Sequence, residues 1–295
     1  MSEPELTVVV ASVNGLPYLA ECLDALAQTA PWAEVVVADS TDEATRARVH
    51  AEWPAVRLLT FDEQQTVPEL RAAGIAAARA PYVALIEDHC LVRPAWAQGL
   101  VRWHREGQSV VGGPIHNVVD DRLRDWAAFF CEYSAFLEPG PTGPAPGLPG
   151  MNVSYDRAAI DAMADLLAEG RWETWLHPRL TERGFEFWAD PALVIDHAKD
   201  FGLGEFLSQR YHYSRSHAGM RNASLGWKRI IYFLGSPLLP PLLYMRLAGN
   251  IRRTKGHGRT FLAATPLIFL YLLVWSYGEA VGYALGGGRS LLKVR

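Results

Sequence analysis

The sequence has few cysteines and little charge. Its 295 residues include three cysteines, Cys22, Cys90 and Cys131, which are scattered and form no Cys-x-x-Cys pair. This pattern argues against a disulfide framework and a structural zinc site, and it favours a reducing compartment. Charged residues make up 20% of the chain and the formal net charge is -4. Nothing in this balance indicates that the chain binds nucleic acid.

Two sequence signals are also lacking. No Gly-x-Gly-x-x-Gly follows the first predicted strand, which disfavours a nicotinamide or flavin enzyme. The first residues are acidic and polar, which is not typical of a signal peptide, and a strand is predicted to begin almost at once.

Apolar runs alternate with helical patterns through the first 115 residues. Such an alternation predicts an α/β fold, a doubly wound and mostly parallel sheet with helices on both faces. The predicted strands cover 6–11, 34–38, 56–61, 83–86 and 109–115, and the predicted helices begin at Pro17 or cover 43–52, 67–80 and 94–106.

Proline and glycine dominate residues 138–150. That density predicts no helix and no strand pairing, so we interpret the segment as a loop at the rim of a pocket. After it, the pattern predicts a short extended stretch, two helices and a final strand; these cover 151–155, 157–169, 173–184 and part of 185–195, and the last ends in Asp196-His197.

Three ionisable residues, Glu87-Asp88-His89, follow the buried strand at 83–86. Ligands of open α/β sheets bind at the carboxyl ends of the strands. Side chains alternate along a strand, so Glu87 and His89 are expected to point the same way. A carboxylate and an imidazole in that position can hold a divalent cation. The alternative is a solvated strand end with an incidental histidine.

Residues 6–197 resemble glycosyltransferase family 2, the inverting enzymes of the GT-A fold. Several segments align in order, which is more specific than any one motif. They are the opening strand and turn at 6–26, Asp39-Ser40-Thr41-Asp42, Arg71-Ala72-Ala73-Gly74, Glu87-Asp88-His89-Cys90, residues 150–157 and Trp172-Glu173-Thr174-Trp175-Leu176.

The resemblance implies a metal site at Glu87 and His89, completed by the late histidine His197. Here His89 takes the place of the second acid of the family's Asp-x-Asp motif. Some GT-A enzymes that transfer N-acetylgalactosamine use Asp-x-His followed by Cys, so the exchange keeps a metal ligand. Mn²⁺ or Mg²⁺ would suit such a mixed oxygen and nitrogen site. For His197, a histidine without a ligand role is the alternative.

The same resemblance implies contacts with a nucleoside-diphosphate sugar. The residues concerned are Ser12, Asn14, Asp39, Arg71 and Asp88.

Glu173 takes the place of the family's catalytic aspartate, and Trp172 replaces the glutamate before it. The resemblance therefore implies that Glu173 is the general base. The alternative is that Glu173 only favours the dipole of its helix from the first turn.

The chain changes character after His197, so we predict a catalytic domain at 1–200 and a membrane-associated helical region at 201–295. A basic and aromatic stretch at 206–221 would close over a diphosphate or rest on lipid headgroups. The apolar stretch at 230–245 contains Pro237, Pro240 and Pro241, which break it and favour an interfacial position.

A longer apolar stretch at 261–285 is long enough to cross a bilayer. Arg252, Arg253, Lys255 and Arg259 precede it, and positive loops stay cytoplasmic. A helical subdomain without membrane contact, or a dimer interface, is the alternative.

The sequence therefore predicts a metal-dependent inverting glycosyltransferase at the cytoplasmic face of the cell membrane, active in cell-envelope polysaccharide synthesis. The donor would be a nucleoside-diphosphate sugar and the acceptor a hydroxyl, lipid-linked or near the membrane. The alternatives are a catalytically inactive family member that acts as a membrane-bound partner, and a nucleotidyl or phosphosugar transferase.

Overall fold

The computed structural model describes residues 3–254 and 256–294, except for the side chain of Ala223. Lys255 of the predicted positive stretch lies outside the described residues. The chain forms two compact units. The first comprises Met1–Val118 and Phe136–Lys199, and the second comprises Val119–Ala135 and Asp200–Arg295. Residues 119–135 belong to the second unit, whereas the sequence predicts a first domain at 1–200.

The first unit is an α/β domain. Its described strands are β1 (Leu6–Ser12), β2 (Glu34–Asp39), β3 (Arg57–Thr60), β4 (Tyr82–Glu87), β5 (Cys90–Val92), β6 (Val110–Gly112), β7 (Ile115–Asn117), β8 (Gly143–Ala145), β9 (Val153–Asp156), β10 (Phe187–Ala189) and β11 (Ile195–His197). Its described helices are α1 (Tyr18–Thr29), α2 (Glu43–Glu52), α3 (Val67–Ala77), α4 (Trp96–Arg105), α6 (Arg157–Ala162), α7 (Ala164–Ala168) and α8 (Glu173–Glu182), while α5 (Leu123–Tyr133) belongs to the second unit.

The main sheet has the order β3-β2-β1-β4-β9-β6-β10-β8 within the described residues. Strands β3, β2, β1 and β4 are parallel, and β9 runs antiparallel between β4 and β6. Every residue of β1 is buried, as expected of a central strand covered on both faces. The predicted α/β class and mostly parallel sheet are confirmed.

A second, three-stranded sheet has the order β5-β11-β7. The single strand predicted at 109–115 is in fact two strands, β6 in the main sheet and β7 in this small sheet. The break falls at Gly113 and Pro114. A side chain at Gly113 would overlap the backbone carbonyl of Leu193, and Pro114 has no amide hydrogen to donate. The final strand predicted within 185–195 is likewise two strands, β10 and β11.

Two further predictions were wrong in detail. The segment at 138–150 does contain a strand, β8, which pairs with β10 at the end of the main sheet. An edge position tolerates Pro144, because one side of the strand needs no donors. The helix predicted at 157–169 is two helices, which separate at the buried Met163 with φ at -121°.

The second unit is helical. Besides α5 it contains α9 (Leu203–Leu225), α10 (Arg229–Gly235), α11 (Leu239–Arg253) and α12 (Gly258–Leu285). Contrary to the prediction, the three prolines do not end the helical run. A short 3₁₀ turn at Ser236–Leu238 joins α10 to α11, and Pro240 and Pro241 stand in the first turn of α11, where a proline costs little.

Two helical stretches in the described residues, Gly226–Arg253 and Gly258–Leu285, are long and apolar enough to cross a membrane. The criteria are length and composition, which a helix in the core of a protein can also meet.

Candidate active site

Three strands of the main sheet end side by side. In the parallel register, Ser12 of β1 lies opposite Asp39 of β2, and Ala11 lies opposite Glu87 of β4. The carboxyl ends of these strands therefore bring the predicted residues Ser12, Asp39 and Glu87 to one edge of the sheet. This is the edge at which open α/β sheets bind their ligands.

Asp88 holds the turn that follows β1. Its buried carboxylate accepts hydrogen bonds from the backbone amides of Val13, Asn14 and Gly15 at 3.0, 2.7 and 3.1 Å, and from Nδ2 of Asn14 at 2.7 Å. Burial alone would raise the pKa of Asp88, but His89 and Asn14 outweigh it and keep that pKa below its usual value. The geometry gives this carboxylate a structural task, and its predicted contact with a nucleotide sugar stays a prediction.

Glu87 and His89 face one another. Oε2 of Glu87 lies 3.5 Å from Nε2 of His89. The imidazole is 3% exposed, and its Nε2 makes no hydrogen bond within the described residues. On the other side of the ring, Nδ1 lies 3.3 Å from Oδ1 of Asp88. A buried nitrogen without a hydrogen bond is costly, and a metal ion is one partner that would satisfy it.

The small sheet places His197 beside His89. Strand β11 pairs with β5 so that His197 lies opposite Cys90, and the two imidazole rings are 4.7 Å apart between centroids at 74°. Burial lowers the pKa of His197 well below its usual value, and the neighbouring His89 and Lys199 lower it further. A neutral imidazole is the form that binds metals.

The described residues form no complete protein cage for a cation. In the part of the chain that the structure describes, no group of three or more His, Cys, Asp and Glu side chains is arranged to hold a metal ion. Glu87 and His89 nevertheless offer an oxygen and a nitrogen that point at each other. This pair fits a divalent cation whose remaining positions are filled by other ligands, such as phosphate oxygens.

Arg71 connects Glu87, one of the predicted metal ligands, to the predicted base Glu173. The guanidinium, 4% exposed, donates from Nη2 to Oε1 of Glu87 at 2.5 Å and from Nη1 to Oε1 of Glu173. Burial opposes the charged form of Arg71, but the two carboxylates outweigh it and raise its pKa. A capping box of Thr66 and Glu69 fixes the start of α3 and so places Arg71 on the second turn.

Glu173 is the first residue of α8, and its carboxylate is tightly enclosed. Trp172 precedes it and lies with its ring 5.6 Å from Cζ of Arg71. Gly150 lies on another side, and a Cβ atom there would overlap the Glu173 carboxylate. The glycine at the end of the Pro/Gly-rich segment therefore makes room for the predicted base.

Ser12 and Asp39, two of the residues predicted to contact the nucleotide sugar, differ in their hydrogen bonding. Oγ of Ser12 makes no hydrogen bond within the described residues, although Ser12 is fully buried. The neighbouring Asp39 is engaged, since it accepts from Oγ1 of Thr41 at 2.7 Å and from Nε of Arg46 at 2.9 Å.

A family model described as glycosyl transferase family 2 matches residues 7–161. The chain belongs to this family. The matched residues include β1 apart from Leu6, β2, β4 and the triplet Glu87-Asp88-His89. The predicted family and the predicted enzyme class, a glycosyltransferase, are confirmed.

Solved structures support the same fold. The mannosyltransferase PcManGT from Pyrobaculum calidifontis, in complex with GDP-Man and Mn²⁺, gives a TM-score of 0.54 at 16% identity, over 99% of this chain and 88% of that one. GalNAc-T7, with UDP, GalNAc and Mn²⁺, gives 0.50 at 13% identity, over 67% of this chain and 44% of that one.

A curated relative of this family 2 chain is the succinoglycan biosynthesis protein ExoO of Rhizobium meliloti (strain 1021). The two are 38% identical over 94 residues, which are 31% of this chain and 27% of ExoO. The match thus spans about a quarter of that relative's length.

Sequence reasoning missed two side chains of the site. Nζ of Lys199 donates to Oδ1 of Asn14 at 2.8 Å, and Lys199 is buried although it is a lysine. Arg46 of α2 bonds to Asp39 as described above. A lone lysine two residues after His197 and an arginine in a charged helix give no sequence signal that separates them from surface residues.

Proposed function

We propose that this chain is a metal-dependent inverting glycosyltransferase that moves a sugar from a nucleoside-diphosphate sugar to a hydroxyl acceptor. The observation that carries the proposal is the double contact of Arg71 with Glu87 and Glu173. It holds Glu87, which lies next to His89 and would bind the metal with it, close to Glu173, which would accept the proton.

Glu173 would act as the general base. The acceptor oxygen attacks the anomeric carbon, the bond from that carbon to the diphosphate oxygen breaks, and the acceptor proton passes to the Glu173 carboxylate. One displacement at the anomeric carbon inverts its configuration. A positioned base of this kind contributes about 10²–10⁴ in rate.

Glu87 and His89, with His197 beside them, would hold the divalent cation. When bound, Mn²⁺ or Mg²⁺ supplies positive charge that neutralises the departing diphosphate. The support is the buried Nε2 of His89 without a hydrogen bond, 3.5 Å from Oε2 of Glu87. Both structural neighbours contain Mn²⁺, which is in keeping with this choice.

The remaining predicted residues would orient the donor. Ser12 offers a buried hydroxyl with no hydrogen bond in the described residues, next to Asp39, and these two would contact the nucleoside. Asn14 and Asp88 would shape the turn against which the diphosphate lies. Arg71 is a ready cation for the diphosphate, provided that it leaves one of its two carboxylates.

We also propose that the chain works at the cytoplasmic face of the cell membrane, on a lipid-linked or membrane-proximal acceptor in cell-envelope polysaccharide synthesis. The apolar helices of the second unit and the partial likeness to a succinoglycan biosynthesis protein support this.

A second candidate is a catalytically inactive family member that acts as a membrane-bound partner. Two observations favour it. No group of three metal-ligating side chains is assembled in the described residues, and Arg71 engages both acids.

Calorimetry and a donor panel separate the two candidates. The full chain is titrated with UDP and with GDP, each with and without Mn²⁺, and then assayed for release of the nucleoside diphosphate from a panel of nucleotide sugars. An enzyme should bind one nucleotide more tightly with Mn²⁺ and should release it from the matching sugar, and EDTA should abolish the release. Absence of both metal-dependent binding and turnover would favour the inactive partner.

A further inference from the structure

The second unit exposes a continuous apolar surface on α10 and α11. None of the seven residues of α10 is buried. Large apolar side chains are exposed from the turn before α10 to the middle of α11, with Trp227 at 70%, Leu234 at 69% and Leu238 at 63%. The others on this surface are Ile230, Ile231, Leu242 and Met245. Scattered exposed apolar residues are normal, but a contiguous surface of this kind marks an interaction site.

The charge around this surface has one sign. Residues 206–278 contain ten lysines and arginines and no aspartate or glutamate. The described basic residues closest in sequence to the apolar surface are exposed, and they are Lys228, Arg229, Arg246, Arg252, Arg253 and Arg259. An apolar surface with a basic border matches the acyl chains and negative headgroups of an anionic bilayer.

The other apolar helix, α12, is partly buried within the same unit: ten of its 28 residues are buried, while Leu262, Leu273 and Tyr277 are exposed. Phe261 contacts Phe130 of α5, and Tyr244 of α11 stacks on Phe269. Near the middle of α12, Tyr271 contacts Phe206 of α9. Helices α5, α9 and α11 therefore cover part of the surface of α12 and hold it within the second unit.

Helix α9 packs closely along the C-terminal half of α12 and is polar. Side chains at Gly278 and Gly282 would overlap the α9 backbone at Tyr211 and Arg215. Arg221 donates to Oη of Tyr283 at 3.0 Å, and Arg215 to the carbonyl of Gly286 at 3.1 Å.

If α12 crossed the bilayer, the tightly packed α9 would have to enter the bilayer too. Its Arg210, which pairs with Glu132 at 2.6 Å, would then lie within the bilayer. Charged side chains at that depth are costly.

We propose that the second unit binds an anionic bilayer in the plane of the membrane through α10 and α11, while α12 remains its core helix and does not cross. This inference rests on the membrane association in the proposed function and specifies its mode. It differs from the expectation that residues 261–285 span the bilayer, and the second experiment below decides between the two.

Vesicle binding tests the surface. The full chain is floated with vesicles of phosphatidylcholine alone or with a quarter phosphatidylglycerol. The double variant Leu234→Glu/Leu238→Glu should bind vesicles about tenfold more weakly or worse. It removes two leucine side chains from the bilayer, and a tenfold change in affinity corresponds to only about 1.4 kcal/mol. Trp32→Glu, at a 40% exposed residue of the first unit, is the matched control and should bind as the parent does. Arg252→Gln/Arg253→Gln should weaken binding only to the anionic vesicles.

Thiol labelling tests the topology. Gly258→Cys and Arg289→Cys place one thiol near each end of α12, and the protein is bound to sealed vesicles and treated with a membrane-impermeant maleimide. Both thiols should react without detergent. Protection of one until detergent is added would show that α12 crosses, and would overturn the proposal.

The result is separable from the catalytic proposal. Leu234→Glu/Leu238→Glu should retain Mn²⁺-dependent nucleotide binding in solution, which is measured without vesicles. A parent chain that binds vesicles but no nucleotide would contradict only the catalytic proposal. A parent that fails to bind vesicles and is a dimer, converted by the double variant to a monomer, would assign the apolar surface to a second copy and overturn the membrane proposal.

Discussion

Oε1 of Glu173 accepts a hydrogen bond from Nη1 of Arg71, across 102 residues of sequence. Nη2 of the same guanidinium bonds to Glu87. One cation therefore neutralises two carboxylates that the proposed mechanism uses for different tasks, proton abstraction and metal binding. This contact ties the position of the proposed base to the proposed metal site.

The first prediction concerns the base. Glu173→Gln keeps the size of the side chain and removes its ability to accept a proton. Transfer should fall by about 10²–10⁴, while Mn²⁺-dependent nucleotide binding should change little. Turnover and calorimetry on the same preparation measure the two. Glu182→Gln, at an exposed residue of the same helix, is the matched control. Unchanged turnover in Glu173→Gln would remove this residue from the mechanism.

The second prediction concerns the space beside the base. A methyl group at Gly150 would overlap the Glu173 carboxylate, so Gly150→Ala should displace that carboxylate. A displacement of about 1 Å can cost about a hundredfold in rate, so kcat should fall on that order while nucleotide binding is retained. Gly147→Ala is the control, because its methyl group would meet only Nδ1 of His177 at 4.0 Å. Equal kcat values for the two variants would contradict the assignment.

Much of the first unit could be predicted from local patterns. The apolar runs gave β1, β2 and β4 with nearly the observed bounds. Helix α2 was predicted with its observed bounds, because Asp42 caps it through the amide of Thr45 at 2.8 Å, an interaction that sequence signals. The triplet Glu87-Asp88-His89 was recognised because charge follows a buried strand.

The rest depends on contacts between distant residues. Strands β5, β7 and β11 have three residues each, too few to show a period of two. The antiparallel insertion of β9 between β4 and β6 leaves no mark on its sequence. Arg71 resembled a nucleotide-binding residue, and its two carboxylate partners lie 16 and 102 residues away. Pairing at such separations can be read only from the fold.

The third prediction concerns the metal. His89→Ala removes the buried nitrogen that faces Glu87, so the gain in nucleotide affinity on adding Mn²⁺ should shrink at least about tenfold. His89→Asp restores the acid of the usual family motif and should retain most of that gain. Calorimetry with and without Mn²⁺ measures both. His116→Ala, at a partly exposed histidine of β7, should behave as the parent does. Full Mn²⁺ dependence in His89→Ala would place the cation elsewhere.

The last prediction concerns stability at low pH. His104 is buried, with Nε2 2.7 Å from Oγ of Ser154 and Nδ1 2.7 Å from the carbonyl of Gln108. Burial lowers the pKa of His104 from 6.5 to about 4. Between these two values the unfolded chain binds a proton that the folded chain does not. The contribution of the neutral imidazole is therefore complete above pH 6.5 and is lost as the pH falls towards 4.

Urea denaturation between pH 7 and pH 4 measures this effect. The loss attributable to His104 should approach about 3 kcal/mol, since one unit of pKa corresponds to about 1.4 kcal/mol. His104→Gln should start from a lower free energy of unfolding at pH 7 and should lose less of it on acidification than the parent does. His50→Gln, at an exposed histidine of α2, is the matched control. A parallel decline in the parent and in His104→Gln would show that His104 does not titrate in this range, because a group that does must change the slope when it is removed.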